Sequence, residues 1–76
     1  MQGSLARLPL GIPAVVLQMG CRKELSRRLR DFGLVPGTSV VARYRSPGGG
    51  VTALEFRGAV IALRTQELRG VRVQWQ

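Results

Sequence analysis

The eleven residues from Arg27 to Gly37, Arg-Arg-Leu-Arg-Asp-Phe-Gly-Leu-Val-Pro-Gly, constrain the fold of this chain more than any other stretch. They hold a helix end, a glycine stop and a Pro-Gly turn into a strand. Leu25, Leu29 and Phe32 recur at i, i+4 and i+7, so they share one helical face. At about 100° per residue, Lys23, Arg27 and Arg30 point away from that face. Gly33 stands where a left-handed cap falls, and Leu34 after it is placed to pack back on Leu29, as in a Schellman ending. Pro36-Gly37 makes the next turn and Thr38 opens a strand. The spacing predicts a helix from about Lys23 to Phe32, docked by three apolar residues and basic on its outer side.

Around this helix the chain reads as short strands. Ser4 can cap one helical turn over Leu5 to Leu8, ended by Pro9. Pro13 to Met19 is an apolar, β-branched run of strand length. From Thr38 to Arg45, Val40, Ala42 and Tyr44 alternate with Val41, Arg43 and Arg45. Ser46 to Gly50 is a loop. Val51 to Arg57 alternates again, with Thr52, Leu54 and Phe56 on one side. Arg57-Gly58 makes a tight hairpin turn, and Ala59 to Leu63 returns. Thr65 can cap a turn over Gln66 to Arg69, with Glu67 inside it. Val71, Val73 and Trp75 alternate in a last strand. Five short strands at close spacing predict a mainly β domain closed into a small barrel, with one inserted helix and a helical turn before the last strand. Closure would also remove the exposed edges of an open sheet. The aromatics Phe32, Tyr44, Phe56 and Trp75 fall at core-like positions, so at least three are expected inside.

A chain of 76 residues makes one domain, near the lower limit for folding without disulfides or metal. Cys21 is its one cysteine, so no internal disulfide forms, and a reducing compartment fits. No run approaches the ~20 apolar residues of a membrane span, and the first ten residues do not read as a secretory signal. The expectation is a cytoplasmic protein. Lys and Arg number 12 against 4 Asp and Glu, a net charge of +8, and only Lys23 of these twelve is not Arg. Such a balance suits an acidic protein surface, a nucleic acid or an anionic membrane face.

Catalysis is disfavoured by what the chain lacks. There is no His, which removes the commonest general base and the commonest nitrogen ligand for transition metals. The acids Glu24, Asp31, Glu55 and Glu67 are scattered, and a Glu24/Asp31 pair on the helix would be a weak metal site. A single cysteine rules out zinc sites built on CxxC pairs. Gly48-Gly49-Gly50 is not followed by the Lys-Ser/Thr of a phosphate-binding loop, so no cofactor pattern is present. The chain reads as a binding module. Its candidate partner contacts are Arg22, Lys23, Arg27, Arg28 and Arg30 on the helix. Leu34 and Val35 are candidates beside it, in a cleft between helix and barrel. Arg43 and Arg45, two apart on one strand face, are better placed to pair with Glu55 across a hairpin.

In residue order the chain resembles the FeoA family of small cytoplasmic proteins associated with bacterial ferrous iron uptake. The pieces that carry this are Leu5 to Gly11, then Arg28-Leu29 through Phe32-Gly33-Leu34-Val35-Pro36-Gly37. Val40 to Arg43 and Arg57-Gly58 followed by Ile61 to Arg64 complete them. Leu25, Leu29, Phe32, Gly33, Pro36, Gly37 and Gly58 are the framework of that pattern. The resemblance implies an SH3-like barrel with a helix after its first strand. It implies a non-enzymatic accessory protein whose partner is the cytosolic G-protein region of a FeoB-type membrane transporter, the membrane being reached only through that partner. Two departures stand out. Ser46 to Gly50 lacks the acid and second proline of the family's loop, and Leu68 replaces a small residue. The same barrel occurs in metal-dependent repressors of the diphtheria-toxin-repressor type, but this chain has no room for their helix-turn-helix. Two rival readings remain, a nucleic-acid-binding small barrel and a metal-binding or regulatory module. The second would need two chains sharing Cys21 and carboxylates. The sequence does not fix the oligomeric state.

Overall fold

A computed structural model describes all residues from Met1 to Gln76. Six strands and one helix follow in the order β1 (Gln2–Ser4), β2 (Pro13–Met19), α1 (Lys23–Phe32), β3 (Ser39–Arg45), β4 (Val51–Phe56), β5 (Ala59–Arg64) and β6 (Val71–Gln74). Three 3₁₀ turns join them, at Leu5–Arg7, Pro47–Gly49 and Thr65–Leu68. The strands form one antiparallel sheet in the order β1-β6-β2-β3-β4-β5. The mainly β, SH3-like architecture with a helix after the Pro13–Met19 strand is the one expected. Two details differ. β1 is an additional strand, whose Gln2, Gly3 and Ser4 pair with Gln74, Val73 and Arg72. The ladder also does not close, so β1 and β5 remain edges.

The core comes from alternate positions of the strands and from the inner side of α1. Ala14, Val16, Val40, Ala42, Leu54, Phe56, Leu63, Val71 and Val73 meet Leu25 and Leu29 of the helix, together with Leu5, Leu8, Leu34 and Leu68 from the turns. In so small a core each such side chain carries a large share of the stability. The Ser4 hydroxyl links the two ends of the chain. It accepts from the Ala6 N–H at 3.1 Å and lies 3.2 Å and 3.0 Å from the Leu68 and Arg69 carbonyls, to which it can donate.

The helix ends as its sequence requires. Gly33 takes φ 99°, its N–H donates to the Arg30 carbonyl at 2.9 Å, and the Leu34 N–H donates to the Leu29 carbonyl at 2.8 Å. Thr38 then ties this ending to β3. Its buried hydroxyl donates to the Gly33 carbonyl at 3.0 Å and accepts from the Val35 N–H at 3.1 Å. Thr38→Val would leave that N–H without its partner. We expect a loss of about 1–2 kcal/mol in chemical unfolding, whereas Thr38→Ser should restore nearly all of it.

Three side-chain assignments are corrected. A β-bulge interrupts β3 between Ala42 and Tyr44, so the alternation inverts after Ala42. Tyr44 is left 55% exposed, and Arg45 turns toward the barrel end, where its guanidinium donates to the Leu5 carbonyl at 3.4 Å. Arg43 and Arg45 are thereby separated, and only Arg43 pairs with Glu55. Phe32 is 56% exposed, so of the four aromatics only Phe56 is buried, with Trp75 half-buried against the core. Thr65 does not cap its turn. Arg64 holds that position, and the Thr65 hydroxyl instead shares a 2.7 Å hydrogen bond with the fully buried hydroxyl of Thr52. A buried hydroxyl needs a partner more than an exposed turn needs a cap.

Candidate partner-binding surface

The surface is built on α1. Arg22 precedes the helix and supplies the first helical carbonyl, to which the Ser26 N–H donates at 2.8 Å, but its side chain makes no cap. It is left free, and Arg22, Lys23, Arg27, Arg28 and Arg30 are all exposed. None of them forms an ion pair; the single salt bridge of the chain is Arg43–Glu55. Glu24 in the first turn and Arg30 in the last complement the helix dipole. The result is a solvent-facing group of cations with no ion pair among the side chains of the helix. Arginine favours planar, bidentate carboxylate or phosphate at such a site.

The rim of the surface differs from the sequence expectation. Leu34 is fully buried in the core, because the Schellman turn carries it under the helix, so it is unavailable to a partner. Val35 is half-buried, and Pro36 and Gly37 form an exposed turn beside it. In place of an apolar cleft the helix end meets the β4–β5 hairpin. That turn has φ 52° at Arg57 and 79° at Gly58, the two positive values of a type I′ turn. The Arg57 side chain lies across Gly33, where an added Cβ would come within 2.7 Å of its Cδ. Arg57 thus extends the cations of α1 onto the sheet. The Arg-Gly pair signals the turn in the sequence, but nothing local indicates which surface it joins. A groove of about 620 Å³ opens elsewhere, at the start of β2 and the end of β6, lined by Ile12, Pro13, Val15, Gln74, Trp75 and Gln76. It holds no ionisable side chain. No three of the acids and Cys21 come together as a metal-ligating group.

Residues 3–74 match the model of the FeoA domain. A search of the curated proteins finds no match. Among solved structures, the FeoA protein from Chlorobium tepidum is 28% identical, with a TM-score of 0.89 over 95% of this chain and 69% of that one. The zinc-complexed FeoA of Stenotrophomonas maltophilia, described as a prokaryotic SH3 domain protein, is 32% identical, with a TM-score of 0.77 over 93% of this chain and 88% of that one. A manganese-dependent transcriptional repressor shares the fold at 13% identity and a TM-score of 0.86, this chain spanning 42% of its length. With nearly its whole length matched to one domain, and with a helix, Schellman turn and sheet that fit it, the chain belongs to the FeoA family, which is associated with ferrous iron transport.

Proposed function

We propose that this protein is a non-enzymatic accessory factor of bacterial Fe²⁺ uptake. It acts in the cytoplasm by binding the cytosolic G-protein region of a FeoB-type transporter through the α1 surface. The observation that carries this reading is the set of five exposed cations around one short helix, none with an acidic partner of its own. Family membership supplies the system in which such a surface works, and the Stenotrophomonas relative is described as a candidate ferrous iron transport activating factor. The contacts are Arg22, Lys23, Arg27, Arg28 and Arg30, with Val35 at the rim. Rim cations of this kind set association rate and salt dependence more than contact area does.

Titrating the full chain with the isolated G-protein region should give a Kd of about 100 µM or tighter. The double reversal Arg27→Glu/Arg30→Glu should weaken it at least about tenfold and flatten its salt dependence. Both positions are exposed, but Arg30→Glu places an anion at the helix C-terminus, so the variant should melt a few degrees below the parent, and binding is compared well below both transitions. No binding at ~100 µM would refute the proposal. A narrower form has Arg27 or Arg28 acting as an arginine finger on bound nucleotide. Unchanged GTP hydrolysis on adding excess protein would eliminate that form and leave the adaptor reading intact.

A further inference from the structure

We propose that the outer edge of β5, from Val60 to Arg64, docks an extended acidic segment of a partner protein, which binds by adding a strand to the sheet. The hydrogen-bonding parity of the hairpin decides which backbone groups are free. With a two-residue turn at Arg57-Gly58, Phe56 and Ala59 form the closing pair, and bonded pairs recur every second residue at Leu54/Ile61 and Thr52/Leu63. The same parity predicts a bond between Gly50 and Thr65, and the Thr65 N–H does donate to the Gly50 carbonyl at 3.0 Å. Val60, Ala62 and Arg64 therefore turn their N–H and C=O groups away from β4. β5 pairs with no other strand, and apart from the Arg64 carbonyl, which opens the 3₁₀ turn at Thr65, these three residues take no part in the turn, loop or side-chain hydrogen bonds.

This edge carries few of the devices that keep sheet edges single. It has no proline, no lysine and no bulge, and Val60 is 61% exposed. The other edge is better protected. β1 is only three residues long, and a very short strand offers little backbone to pair with. An unpaired edge of β5's length is the template on which extended peptides bind, main-chain bonds giving affinity and alternate side chains giving choice.

Charge selects the occupant. Arg57 and Arg64 stand exposed at the two ends of β5; Glu55 is already paired with Arg43, and Glu67, in the turn after β5, forms no ion pair with Arg64. A second copy of the chain would bring another net charge of +8 to the same edge, whereas an acidic strand meets its complement. Arg57 also lies across Gly33 at the end of α1, so this edge continues the basic surface of the helix. The proposal stands on the geometry of β5 and does not require the transporter to be the partner.

The test titrates isotope-labelled full-length protein with an end-blocked peptide alternating valine and glutamate, and with its valine–lysine counterpart. With the glutamate peptide the amides of Val60, Ala62 and Arg64 should shift and exchange at least about tenfold more slowly. Those of Ile61 and Leu63, already bonded to β4, should change little. Ala62→Pro, which removes a donor that the sheet does not use, should abolish the effect. Arg64→Glu, an exposed substitution, should weaken binding of the glutamate peptide and narrow its advantage over the lysine peptide. No amide response at about 2 mM peptide would overturn the proposal. So would equal binding of both peptides. Protection of these amides that grows with protein concentration, peptide absent, would also overturn it and identify a second copy as the occupant.

Discussion

Gly70→Ala is expected to cost about 3 kcal/mol or more and to lower the melting temperature by roughly 15 °C. A Cβ at position 70 would sit 2.3 Å from the Gly20 carbonyl oxygen, 2.7 Å from its carbon and 3.0 Å from the Cys21 nitrogen. All three are backbone atoms, so no side-chain rotation relieves the clash. The Gly20 N–H also donates to the Gly70 carbonyl at 2.7 Å, and separating the strands to make room would break that bond. A domain of this size has a total stability of about 4–11 kcal/mol, so the loss is a large fraction of the whole. Gly50→Ala is the control, because a Cβ there meets nothing within 4 Å and its φ is negative. Circular dichroism melts of the two variants would show the contrast. A Gly70→Ala protein within 1 kcal/mol of the parent would mean that the Gly20–Gly70 contact is far looser than described.

Leu29→Ala is expected to cost about 3 kcal/mol, while Phe32→Ala, three residues on, should cost less than about 0.5 kcal/mol. Leu29 has no exposed surface and lies between the sheet and the Schellman turn, so its truncation leaves a cavity that the surrounding strands can fill only partly. Phe32 is more than half exposed. Urea unfolding of both variants separates the two cases. Equal losses would show that Phe32 anchors the helix after all. Loss at Leu29 should also reduce partner binding indirectly, by loosening the helix that presents the cations. Binding measured well below the unfolding midpoint distinguishes that from a direct contact.

These two residues show how far the sequence could be read. The i, i+4, i+7 spacing located α1 and its inner face, and Gly33 located its end. The Schellman ending set Leu34 against Leu29, but spacing could not say that Leu34 fills the space there completely and leaves Phe32 at the rim, since that depends on which side chain fits a fixed volume. The strands were legible wherever alternation and turn residues agreed, as from Val51 to Leu63. Gln2–Ser4 has no strand propensity of its own and becomes β1 because β6 lies beside it. The bulge after Ala42 leaves no mark in composition, yet it exchanges the directions of Tyr44 and Arg45. On the candidate surface, the helix cations follow from periodicity. Arg57 beside Gly33 and the free parity of β5 are tertiary facts, visible only once the hairpin is placed against the helix.

The position of β6 between β1 and β2 sets the order in which the strands can assemble. β2 to β5 are neighbours in both sequence and sheet, so with α1 they close only short loops and can associate early in folding. β1 has no partner until Val71 to Gln74 dock between it and β2. Until then β2 shows a bare edge from Val15 to Met19, open to wrong pairing. Docking of one four-residue strand therefore removes two unpaired edges at once, and the species that precedes it is the most aggregation-prone on the folding route.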